Sequence, residues 1–164
     1  MKDRRFILAA CMLLTTHYGC ANLATEPKDV VAPKQHTPET VVGMIDRHLQ
    51  QLNKSMEMLD ERIADLKSMP DVADPTIREL RALDLAGWQL HQQQWLLQRE
   101  HLQYARVQLL RATEHPDDKP QLQAAWTTHE QEFEAALDDF RQQRHALEKK
   151  RLQVEAQLID RHLK

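Results

Sequence analysis

Beyond residue 20 the chain has no cysteine and only two glycines, Gly43 and Gly87. Its cysteines are Cys11 and Cys20, so a domain built from the remainder has no internal disulfide, no thiolate metal ligand and no thiol nucleophile. Serine occurs only at Ser55 and Ser68. Such scarcity excludes a glycine-rich phosphate loop and a G-x-S-x-G nucleophile elbow. β-Branched and aromatic residues never alternate with polar ones, so strand signals are missing. Positive charge is not in surplus either. Residues 1–20 hold Lys2, Arg4, Arg5 and Asp3 from totals of 22 basic and 25 acidic residues, leaving 19 basic against 24 acidic groups beyond them. A phosphate-neutralising surface needs the opposite balance, so nucleic acid is not an expected partner.

What is abundant is Leu, Gln, Glu, Ala, Arg and Lys, all good helix formers. Prolines at 27, 33, 38, 70, 75, 116 and 120 leave three long proline-free runs, 39–69, 76–115 and 121–164. Each run opens on a capping residue with proline in the first turn: Thr37 before Pro38, Asp74 before Pro75, and Asp117 or Asp118 before Pro120. The predicted helices cover about 38–69, 75–114 and 118–163. Their connections are short, which makes neighbours antiparallel. In the first helix Val42, Ile45, Leu49, Leu52, Met56, Leu59, Ile63 and Leu66 form an unbroken heptad seam. In the third, Leu122, Trp126, His129, Phe133, Ala136 and Phe140 begin a seam that thins at Gln143 and Lys150. A second stripe then appears at Leu152, Ala156, Ile159 and Leu163. The middle helix carries two rows, Leu83/Leu90/Leu97/Tyr104 and Trp88/Trp95/Leu102/Leu109, set about 140° apart. Two rows suit a central helix with a partner on either side. The fold class is therefore all-α: an elongated antiparallel three-helix coiled-coil bundle over 38–164.

Few side chains suggest chemistry. Of the eight histidines beyond residue 20 no two share a helix face at i, i+3 or i+4, and there is no H-E-x-x-H. Met56-Glu57-Met58 invites a soft-metal reading, but Met56 already belongs to the apolar seam. EQEFEAALDDF reads as a solvated helix face. No catalytic residue, metal or cofactor is expected, and the chain is read as non-enzymatic. Folding the first two helices about residue 72 puts Glu39 level with residue 105, so the hairpin from about 106 to 130 projects past the first helix. Leu109, Leu110, Leu122 and Trp126 then form an uncovered apolar tip, the expected contact for a protein partner or a second copy. The same folding sets His91–Gln94, Gln142–His145 and Gln50–Asn53 at one height, a candidate polar layer, although glutamine is also a plain surface helix former.

The chain opens MKDRRFILAACMLLTTHYGC, a basic segment followed by an apolar one. Eleven apolar or weakly polar residues span about 16 Å as a helix, short of a hydrocarbon core of about 30 Å. This is the pattern of a secretory signal. Its end resembles a bacterial lipoprotein signal, in which a small residue precedes an acylated cysteine; Gly19 and Cys20 match, while His17 stands where an aliphatic residue is usual. The resemblance covers residues 1–21 and implies lipidation at Cys20 with cleavage before it. Ala21 after the cysteine then implies the periplasmic face of the outer membrane. The rival is cleavage after Ala21, giving a soluble periplasmic protein. Residues 21–37 read as a flexible tether of at most about 60 Å. The expected function is a lipid-anchored scaffold or adaptor that binds another protein through an apolar helical surface. The alternatives are a periplasmic stress- or metal-responsive chaperone and a pilotin-like secretion accessory.

Overall fold

The computed structural model describes residues 37–163, which form an all-α, three-helix bundle. Helix α1 is Pro38–Ser68, α2 is Pro75–Glu114 and α3 is Lys119–His162; a single 3-10 turn, Pro116–Asp118, joins the last two.

Local chemistry sets these boundaries. The Thr37 hydroxyl accepts from the Thr40 amide at 3.3 Å, and Asp74 Oδ1 accepts from the Thr76 and Ile77 amides at 2.7 and 3.3 Å. Each cap satisfies amides that a helix start leaves without carbonyl partners. Amide hydrogen bonding at Asp74 outweighs its partial burial and holds the carboxyl below its ordinary value. Hydrogen bonding from its own backbone and from Thr37 does the same for Glu39. Helix α3 is begun differently. Asp118 makes no side-chain cap bond, and the 3-10 turn before it is closed by the Asp118 amide donating to the His115 carbonyl at 3.1 Å.

Helix α2 packs along both neighbours, whereas α1 and α3 hardly approach each other. The two apolar rows of α2 supply this arrangement. Leu83, Leu90 and Leu109 are buried, and Trp88, Trp95, Leu97, Leu102 and Tyr104 are half-buried. On α1 the buried stripe is Val41, Ile45, Leu52, Met56, Leu59 and Ile63. Val41 is completely buried and Val42 only partly so, which moves the start of the seam by one residue. The reason is that Trp126 of α3 reaches this end. Val41, Ile45, Ala105, Leu109 and Trp126 form one core cluster, the place where all three helices meet.

Cross-helix pairs give the heights. Asp46 of α1 receives a 2.6 Å hydrogen bond from Arg106 of α2, and Asp60, fourteen residues on, receives one from Gln92, fourteen residues back. Arg62 lies over the Trp88 ring at 5.0 Å. This register carries α1 some two turns further along α2 than a fold about residue 72 allows. The connection explains the difference. Arg81 Nη1 donates to the Pro70 carbonyl at 2.5 Å, so the segment after Ser68 lies beside the first turns of α2. Extended residues advance about 3.3 Å each against about 1.5 Å in a helix, so a short extended connection takes up several helical residues of height. Gln92 is consequently level with Asp60, and Gln50–Asn53 do not join a polar layer with it. Between α2 and α3, Glu79–Lys150 at 3.2 Å and Asp84–Arg151 at 3.4 Å bridge the surface. Exposed pairs of this kind contribute at most about 1 kcal/mol each.

Candidate protein-binding surface

The four residues expected at an uncovered tip do not share one environment. Leu109 and Trp126 are 4% and 5% exposed, sealed by Val41 and Ile45 of α1. Helix α1 thus reaches the hairpin it was expected to fall short of, and the correction follows from the register just described. Leu122 is half-buried, and Leu110 is exposed.

Below the tip lies a stacked aromatic group. The His101 ring, 4% exposed, stacks on Phe133 with centroids 3.9 Å apart and on His129 at 5.1 Å. Tyr104 meets His129 at 4.0 Å, and Trp126 stands 5.2 Å from His101. These histidines fill the α2–α3 interface as flat rings, next to Phe and Trp. The sequence signal was present for His129, which occupies a seam position; His101, four residues after Leu97 and three before Tyr104, also has heptad spacing but stands outside the two rows drawn on α2. Among the described residues no group of three or more His, Asp or Glu side chains is placed to hold a metal ion.

An uncovered apolar row lies at the C-terminal end of α3. Leu152 is 61% exposed, Ile159 59% and Leu163 81%, with Ala156 exposed between them. Their steps of four, three and four keep them in one strip. Val154, which is buried, and Leu158, which is half-buried, lie roughly 140° around the helix. The strip is therefore unused by the bundle, although it repeats the spacing that α1 uses for its core. Cys20 lies outside the described residues, and no helix among those described is long and apolar enough to cross a membrane. No protein-family model, curated protein or solved structure matches the chain.

Proposed function

We propose that the chain is an exported scaffold or adaptor, held at the periplasmic face of the outer membrane by a lipid on Cys20, whose antiparallel three-helix coiled coil presents an apolar strip to a helix of another protein. The observation that carries the reading is the exposure of Leu152, Ala156, Ile159 and Leu163 in a heptad row. Four apolar positions at three- and four-residue steps match the seam of an opposing amphipathic helix. They also make a straight strip along a rod, which suits a helix better than a compact ligand. The binding surface thereby moves from the hairpin tip to the C-terminal turns of α3, because the tip's two largest side chains serve the core.

The test uses the full chain expressed in a bacterium with an outer membrane. Leu152→Ser combined with Ile159→Ser is expected to leave helicity and melting temperature within a few degrees of the parent, since both side chains are mostly exposed. The same pair should abolish recovery of the partner in crosslinking from membranes. Cys20→Ala should release the protein from the membrane fraction without affecting its fold. Partner capture that survives the double serine change would refute the strip, and membrane retention of the alanine variant would refute the anchor.

A further inference from the structure

Because α1 and α3 hardly touch, a groove of about 710 Å³ remains between them with α2 as its floor. That volume lies within the range of about 300–1,000 Å³ typical of small-molecule sites. Leu83, Gly87 and His91 follow one another along the floor at steps of four residues. A Cβ at Gly87 would meet nothing within 4 Å, so the space above this part of the floor is open. Glycine inside a helix costs up to about 1 kcal/mol relative to alanine. The walls add Arg62 and Leu66 from α1 and Arg144, Leu147, Glu148 and Arg151 from α3.

Two of the three guanidinium groups are engaged. Arg151 pairs with Glu155 at 2.9 Å and with Asp84 at 3.4 Å, and Arg62 covers one face of Trp88. Arg144 has no carboxylate partner among the described residues; its neighbour across the groove is His91. Arg144 is thus the one guanidinium of the lining with neither a carboxylate nor an aromatic ring against it among the described residues. The apolar part that remains open is aliphatic, because the Trp88 ring is already taken by Arg62 on α1 and approached by His91.

We propose that this groove binds a small alkyl carboxylate, with its head at Arg144 and its chain laid over Gly87 between Leu66, Leu83 and Leu147. A guanidinium offers a planar carboxylate two parallel donors, and one unpaired guanidinium matches a monoanion. Burial and then the Arg144 charge hold the His91 imidazole below its ordinary pKa, so the neutral ring leaves that anion site to Arg144 near neutral pH. The site is separate from the α3 strip and does not depend on it.

Octanoate, titrated calorimetrically into the full chain, is the probe, with octylammonium as the control of equal length and opposite charge. Octanoate is expected to saturate one site, and octylammonium to show no binding. Arg144→Gln should weaken octanoate at least tenfold. Gly87→Leu, which fills the floor with a better helix former, should abolish binding while the melting temperature holds or rises. Absence of saturable octanoate binding, equal binding of octylammonium, or unchanged affinity in Arg144→Gln would each overturn the proposal. Arg144 is exposed, so its variant still tests the head contact if leucine at position 87 perturbs the helix.

Discussion

His91 sits against two indoles, with ring centroids 6.4 Å from Trp88 and 4.5 Å edge-on from Trp95. Its folded pKa lies below the ordinary 6.5, chiefly through burial and then through Arg144. Arg62 of α1, Asp84 of α2, and Glu148 and Arg151 of α3 complete the charged surroundings. The unfolded chain therefore takes up a proton that the folded one refuses. The stability tied to His91 is present above about pH 6.5 and is lost as pH falls below it. Between pH 7 and 5 the wild-type melting temperature should drop more steeply than that of His91→Gln. Parallel slopes in a thermal-melt series would show that this ring contributes nothing to the acid response. The fate of single residues was the least legible from sequence. Heptad spacing marks Leu109 and Trp126 as apolar, but their burial depends on Val41 and Ile45, which are more than sixty residues away.

Helix boundaries were the most legible feature, because caps and prolines act through the few residues around them. Asp74 combines two amide hydrogen bonds with a more distant ion pair, Arg161 at 3.9 Å. Its carboxyl is depressed, so the stabilisation exists above the unfolded pKa of about 3.8 and fades as pH falls through the folded value. Asp74→Ala should lower the melting temperature by a few degrees at pH 7, about what a lost cap costs. That gap should close as the wild-type carboxylate is protonated at strongly acidic pH; a gap constant down to pH 2 would assign the loss to something other than the charged cap. How the helices stand against each other was legible only in part. The two apolar rows of α2 announce two neighbours, and α2 does pack on both. The α1–α2 height departs from the sequence expectation because Arg81 and Pro70 lay the connection alongside α2, a contact across eleven residues with no local signature.

At the scale of the whole molecule the two outer helices communicate through α2 along most of their length and meet at one cluster. Among the described residues Trp126 is the only α3 member of that cluster. Trp126→Ala should cost about 3–5 kcal/mol, the range for truncating a buried aromatic. Urea unfolding should show the midpoint lowered with the slope retained; an unchanged midpoint would mean that the meeting point is not part of the cooperative core. The same feature bears on how the protein breathes. Opening at the Trp126 end disturbs α1 and α3 together, whereas at the groove end either can lift from α2 without the other. Amide protons of α2, covered from both sides, are then the last to exchange with solvent, and the outer helices lose theirs through separate, smaller openings that begin beside the groove.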